Sequence, residues 1–270
     1  MFSLVKKDTD IWCGQFSSFP EAVAVHAVST RFGGVSEGAY ASLNLALHVG
    51  DDSTRVVENR RRFCRALGLA PGAICTAEQV HGERIARVTR AEAGRGSQIY
   101  AEALPATDAL MTNEPGVPLI LFFADCTPIL LLDPVHRAAA LAHGGWKGTV
   151  RRIAAKTVAA MQAAYGTRPE DCLAAIGPAI GPCCYEVGPE VAAQFRTAFP
   201  AFAGEILAER EGHIHLDLWQ ANRRQLESAG LLPEHIEAAE TCTACNSDVF
   251  FSYRADQGTT GRIAAVIALK

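Results

Sequence analysis

Three segments of this chain each end in a side chain that binds metals or acts as a nucleophile: His81 in AICTAEQVHG, Cys126 in FFADCTPILLL and His143 in ALAHGGWKGT. The runs carrying Cys126 and His143 are both apolar, and Asp133-Pro134 between them is a turn-initiating pair. A two-residue Pro134-Val135 loop would join them as an antiparallel hairpin and bring Cys126 opposite His143, with Cβ atoms about 4.5–5.5 Å apart. One more loop residue, or a bulge at Pro128, shifts that register by one position without separating the two side chains. A thiol and an imidazole at that distance suit three roles: a packed core cysteine beside a turn histidine, a nucleophile with its base, or two ligands of one zinc. His81 precedes Gly82 as His143 precedes Gly144, so it offers a third ligand at a strand end. A cysteine with two histidines leaves one tetrahedral position open, which is the pattern of a catalytic metal. Spacing alone leaves all three roles standing.

Other polar groups flank these positions. Asp125 adjoins Cys126 and is a candidate acid or base, or simply a surface carboxylate at a strand end. Residues 144–149, GGWKGT, read as a glycine loop entering a helix from about Val150, where backbone amides and Lys147 suit an anion. The loop is not a Walker A sequence, and a plain tight turn explains it as well. Arg31 in TRFGG is a candidate fork for phosphate or carboxylate. Arg60, Arg61, Arg62 and Arg65 read as a solvated helix face. Cys242-Thr243-Ala244-Cys245 is a C-x-x-C pair without a second copy; only Cys183-Cys184 is available to complete a four-cysteine site, and redox or packing roles compete with that. His213-Ile214-His215 directs two rings to one face of a strand, a weak copper signal.

The elements that must position these groups follow from apolar patterning. Strands are expected at residues 23–29, 73–78, 117–124, 129–132, 138–142, 173–177 and 263–269. One helix follows Asp52 or Ser53 and ends at Gly68, a second runs from about Val150 through Tyr165, a third begins at Pro189, and a fourth follows Asp217 and stops at Gly230. No repeat, low-complexity tract or linker divides the chain. Strands and helices do not alternate regularly, so the expectation is one mixed α/β (α+β) layered domain over residues 1–270.

Composition narrows the function classes. The chain has 270 residues, 49% hydrophobic and 20% charged, which excludes intrinsic disorder. With 25 basic and 29 acidic residues the formal charge is −4, which disfavours nucleic acid as a partner. The apolar runs fall far short of the roughly 18–20 residues of a membrane span, and charges interrupt the first 14 residues, so no signal peptide is expected. Nine cysteines, an odd number, suit a reducing compartment better than a disulfide framework, so a cytoplasmic protein is expected.

Taken together, the blocks STRFGGVSEGAYASLNLALHVGDD, VVENRRR, EQVHG, FFADCTPILLLDP, AHGGWKGT, IGPAIGPCCYEVG and CTACNSDVFFSYRADQGTTGR closely resemble the YfiH-like family, also called laccase-domain or multicopper polyphenol oxidase proteins. The blocks run in order from about residue 29 to the C-terminus. One departure is Gly144, where the family commonly has Ala. The resemblance implies a layered sandwich related to cysteine-hydrolase-like folds. It also implies a mononuclear zinc held by His81, Cys126 and His143. It further implies phosphorolysis of adenosine, inosine and methylthioadenosine, with deamination of adenosine. Only the triad carries over residue by residue; from their chemistry and neighbourhood, Arg31 and Lys147 are expected to hold phosphate, Asn44 and Gln79 to orient ribose or base, and Asp125 to be the acid or base, in a monomer or small homo-oligomer. A four-copper oxidase needs roughly ten imidazoles, whereas this chain has eight histidines. Copper is therefore the lesser alternative to zinc, and a metal-free hydrolase using Cys126 and His143 is the other rival.

Overall fold

A computed structural model of the chain describes residues 1–8 and 10–270. The chain opens with β1 (Phe2–Lys6), β2 (Trp12–Phe16) and β3 (Ala24–Ser29), followed by helix α1 (Ser53–Ala66). Short strands β4 (Ile85–Arg87) and β5 (Ala109–Thr112) lead to β6 (Leu119–Phe123), β7 (Thr127–Asp133) and β8 (Ala138–Gly144). Helices α2 (Trp146–Val150) and α3 (Ile153–Tyr165), strands β9 (Leu173–Ile176) and β10 (Glu186–Val187), and helices α4 (Pro189–Ala198) and α5 (Ala203–Ile206) come next. Strands β11 (Leu207–Arg210) and β12 (His213–Leu216), helix α6 (Leu218–Ser228), and strands β13 (Ile236–Ala238) and β14 (Ile263–Leu269) complete the order.

Two large sheets face each other. One runs β1-β2-β3-β14-β6 and is antiparallel throughout; the other runs β13-β9-β7-β8-β5-β4, with parallel pairs only at its two edges. Side chains of period two divide each central strand between two cores. Leu119, Leu121 and Phe123 of β6 meet Leu130 and Leu132 of β7 between the sheets. Ile120 and Phe122 turn the other way, onto Phe63 and Cys64 of α1. Ile129 and Leu131 turn onto Ile153, Val158 and Met161 of α3 and Leu226 of α6. The result is a four-layer helix–sheet–sheet–helix sandwich, and it explains the unbroken apolar runs: strands covered on both faces have no polar side to show. A third, small sheet, β10-β12-β11, packs with α4 around Phe195, Phe199 and Leu216.

The mixed, layered architecture is the one expected, with four local differences. The β7–β8 turn has four residues, because Asp133 pairs with Ala138 and Pro128 with His143. Asp133 Oδ1 accepts N–H bonds from Val135 and His136, both at 2.9 Å, and Arg137 takes φ 50°, so the carboxylate builds a wider turn than two residues allow. Cys126 is thus displaced by two positions from the register expected for it, yet remains at the same sheet end as His143. Ala73 closes a 3-10 turn from Pro71, and residues 74–78 form only single bridges, Cys75 to Leu119 and Ala77 to Leu104, since each end serves a different partner. The second helix starts earlier than Val150, at Trp146, and breaks at Arg152, which takes φ 64°. Arg60 is not solvated: it lies 3% exposed, donates to the carbonyls of Leu45, Gly96 and Ser97, and sits 4.6 Å over the Phe122 ring. The strands β1, β2, β4, β5 and β10 to β13 are not among those expected from the sequence.

One buried histidine sets an acid limit on this fold. His26 on β3 is 2% exposed and its Nε2 accepts the Phe16 N–H at 2.9 Å. Burial draws its pKa down from 6.5 to about 4, against the opposing pull of Glu237 and Glu21. Between those values the unfolded chain takes the proton first, so native stability falls as pH drops from about 6.5 to about 4, by up to about 3 kcal/mol. His26→Gln, which keeps an acceptor without a titrating ring, is expected to flatten the pH dependence of unfolding free energy across that window. Parallel profiles for the two chains would refute it.

Candidate metal centre and its cleft

The Asp108 carboxylate, fully buried at the start of β5, organises one side of the site. It accepts the N–H groups of Val80 at 3.2 Å, His81 at 3.0 Å and Gly82 at 2.7 Å, which bends the 80–82 turn around it. Its Oδ1 also lies 2.9 Å from His143 Nδ1, and its own backbone carbonyl accepts the His143 N–H at 2.8 Å. Burial alone would push this carboxyl up; the His143 ring and the N–H groups outweigh it and hold it below the usual range. With Nδ1 engaged, His143 presents Nε2 to the centre, the carboxylate–histidine arrangement that commonly supports metal ligands.

Cys126 comes from the turn between β6 and β7, and its neighbour Asp125 fixes that turn. Asp125 takes φ 83°, a conformation that costs a β-carbon-bearing residue about 1–3 kcal/mol. Its Oδ1 accepts the Thr243 hydroxyl at 2.6 Å, its Oδ2 accepts the Arg254 N–H at 2.7 Å, and its carbonyl accepts the Ile180 N–H at 2.9 Å. These bonds offset the strain and aim Cys126 at the histidines.

His81 Nε2 lies 3.9 Å from Cys126 Sγ, and the two imidazoles meet edge to face with centroids 4.8 Å apart. The three ligand atoms all fall within 4.8 Å of one another. Gly145 seals the floor, since a Cβ there would lie 2.9 Å from Cys126 Sγ. Burial opposes the Cys126 thiolate, but the His143 and His81 rings more than compensate and draw its pKa down to about 6. His143 moves the other way: burial lowers it, and the Cys126 charge with the Asp108 bond carries it up to about 9. A thiolate and a ring proton that a cation can replace are what a soft divalent metal requires. The donor set therefore fits a zinc-type ion with one position left open.

That open side faces a cleft of about 590 Å³. Asp125, Gln79 and Lys147 line it with the triad. Gln79 is pinned at both ends of its amide to the Phe122 backbone, at 2.9 and 2.8 Å. Arg31 and Asn44 do not line the cleft. Arg31 donates to the carbonyls of Ala41 and Ser247, and Asn44 Oδ1 accepts the N–H of Arg262, which itself reaches the cleft. The expected glycine loop is no loop either, for residues 146–150 are a single helical turn packed onto β8. His213 and His215 are held by Glu186 and the Pro182 carbonyl and join no metal cluster among the described residues.

Several groups escaped the sequence reading. Arg254 and Arg262 add positive charge to the cleft, and Trp146, Tyr185 and Tyr253 add aromatic faces. His48 also lines it; burial, with Arg262 and Arg60 close by, draws its pKa down to about 4 and keeps the ring neutral. Asp108 had one visible signal, an ionisable residue directly before the apolar Ala-Leu-Met of β5.

Residues 25–270 match the family described as multi-copper polyphenol oxidoreductase laccase. The chain belongs to that family. Over 249 residues, 92% of this chain and 91% of the other, it is 46% identical to the Geobacillus stearothermophilus protein named purine nucleoside phosphorylase YlmD. Over 250 residues, 93% of this chain and 95% of the other, it is 37% identical to the Escherichia coli protein named purine nucleoside phosphorylase YfiH. The crystal structure of YlmD from Geobacillus stearothermophilus superposes with a TM-score of 0.94 at 42% identity, covering 99% of this chain and 98% of that one. The motif blocks and the whole-chain comparisons thus agree on the laccase family. Among the described residues of this laccase-family chain, no helix is long and apolar enough to cross a membrane.

Asp108→Asn in this family member keeps the size of the side chain but loses the charge that holds His143. Zinc affinity, measured by competition with a chromophoric chelator, is expected to fall about 10–100-fold. Unchanged affinity would show that the 2.9 Å bond does not set the ring.

Proposed function

We infer that this chain is a zinc-dependent purine nucleoside phosphorylase that also deaminates adenosine. The observation that carries the reading is that one cleft joins the His81–Cys126–His143 triad to three cationic side chains and several aromatic faces. The relatives named purine nucleoside phosphorylases support the same reaction class.

In phosphorolysis a phosphate oxygen bonds to ribose C1′ while the C1′–N9 bond breaks and its electron pair leaves on the purine, which is then protonated. Lys147, Arg254 and Arg262 supply the charge to hold phosphate beside the ribose and to stabilise the transition state electrostatically. Tyr185, Tyr253 and Trp146 offer planar faces to the purine. Deamination exchanges the C6 amine for a water oxygen and releases ammonia. His81, Cys126 and His143 would hold the zinc, which would supply Lewis-acid chemistry. Asp125, with both oxygens occupied, is a positioning residue for Cys126. Asn44 acts at one remove through Arg262, Arg31 fixes the loops at Ala41 and Ser247, and Gln79 fixes the edge of the cleft. Substrates on this reading are adenosine, inosine and methylthioadenosine.

Cys126, His143 and Asp108 also form a thiolate–imidazole–carboxylate series, which favours a metal-free cysteine hydrolase as the second reading. Product analysis by chromatography with mass detection separates the two. Zinc-loaded chain with adenosine and phosphate is expected to yield adenine with ribose 1-phosphate, and inosine. Cys126→Ala should lose about 1000-fold in rate, as removal of several kcal/mol of metal stabilisation implies. Lys147→Ala should raise the phosphate KM by about tenfold, the equivalent of one charge-assisted hydrogen bond. Activity that survives chelators but not iodoacetamide would overturn the zinc reading in favour of the hydrolase.

A further inference from the structure

We propose that Cys183, Cys184, Cys242 and Cys245 bind a second, structural zinc that clamps the two loops behind Asp125. The inference is independent of the metal identity and activity assigned to the triad.

Four cysteines from two segments far apart in sequence converge at one point, with all four sulfurs within 4.8 Å of one another. Cys245 Sγ lies 3.5 Å from Cys183 Sγ and 3.3 Å from Cys184 Sγ. Tetrahedral zinc with bonds of about 2.3 Å separates its sulfurs by about 3.8 Å, in the middle of this range. Cys245 is nearly equidistant from two partners, so no single pair is singled out for a disulfide; a shared centre accounts for all four. The backbone is arranged to suit. Thr243 N–H donates to the Ala179 carbonyl at 3.0 Å and Ala179 bridges Cys242, which lays the two segments side by side. Cys184 and Tyr185 donate their N–H groups to the Gly181 carbonyl at 3.0 and 2.9 Å, closing a tight turn that projects the vicinal pair. The Cys242-x-x-Cys245 half has the usual zinc-ligand spacing. Gly181 N–H also donates to Cys242 Sγ at 3.2 Å, a bond that favours the thiolate, the metal-binding form.

Four thiolates on a soft, redox-inert divalent ion make a closed site of net charge −2, with the displaced thiol protons passing to solvent. Arg254, which donates to the carbonyls of Cys184 and Glu186, provides neighbouring positive charge. The clamp reaches the cleft through residues adjoining the ligands. Thr243, between Cys242 and Cys245, donates to Asp125, and Tyr185, next to Cys184, lines the cleft wall. Zinc here would hold Thr243 against Asp125, and through it Cys126, and would fix Tyr185 in the cleft wall.

The test is metal stoichiometry by elemental analysis and native mass spectrometry, on chain purified from zinc-supplemented cells without chelator. Cys126→Ala, which leaves the four cysteines intact, is expected to retain one zinc per chain. With cobalt substituted, the same variant should show intense thiolate-to-metal charge transfer and tetrahedral ligand-field bands. The Cys183→Ser/Cys245→Ser double variant should lose one zinc relative to the unsubstituted chain; should it fail to fold, the Cys126→Ala result decides alone. A Cys126→Ala chain whose thiols are free by mass yet binds neither zinc nor cobalt overturns the proposal. So does a native chain 2 Da light from a disulfide within the cluster, or one that carries iron there. An unsubstituted chain that carries only one zinc, and keeps it in Cys126→Ala, would support this site while refuting zinc at the triad, so the two readings fail separately.

Discussion

The buried carboxylate of Asp108 is the constraint on which the site depends. A charge with no exposure is costly unless its lone pairs are filled, and removal of its partners would leave it unpaired in the interior. Three backbone N–H groups and one imidazole fill them. Satisfying that one side chain requires the 80–82 turn to wrap around it, which accounts for the φ of 58° at His81. It also requires the His143 ring to turn its Nδ1 edge to the carboxylate at the end of β8. Two of the three candidate metal ligands are thus placed by the need to solvate one anion without water.

Asp125 plays the equivalent part for the third ligand. It too sits in a backbone conformation unusual for a residue with a side chain, and it too is held by donors from remote segments, Thr243 and Arg254. The site is therefore preorganised by two carboxylates whose oxygens are already occupied. This explains why an acidic residue beside a candidate nucleophile need not be its acid or base: occupancy, not adjacency, decides.

The legible parts of the sequence were those where a local rule suffices. The central strands are covered on both faces, so their runs of Leu, Ile and Phe stand out, and α1, α4 and α6 carry their own signals in Asp52, Pro189 and Asp217. The Cys126–His143 proximity survived an error of two positions in register, because both residues sit at one end of a hairpin whatever the turn length. What stayed hidden depends on contacts distant in sequence. Arg60 resembles its solvated neighbours until Leu45, Gly96 and Ser97 present three carbonyls to it. Arg254 and Arg262 follow no strand or helix signal that would aim them at the cleft. Asp133 could in principle have been read as a turn builder, but the length of turn it builds depends on Arg137 accepting a positive φ.

The two ligand clusters differ in a way that assigns their roles. The triad has three donors and borders a cleft large enough for a small molecule, so any ion it holds has both a vacancy and access. The four-cysteine cluster has a full tetrahedral set, and none of its sulfurs lines that cleft. An ion there has nothing left to offer a substrate; its effect is mechanical. Because Thr243 and Tyr185 adjoin those cysteines and also meet Asp125 or the cleft wall, rigidity at one cluster becomes ligand geometry at the other. On the proposed function, chemistry on this scaffold belongs to the cluster that is incomplete.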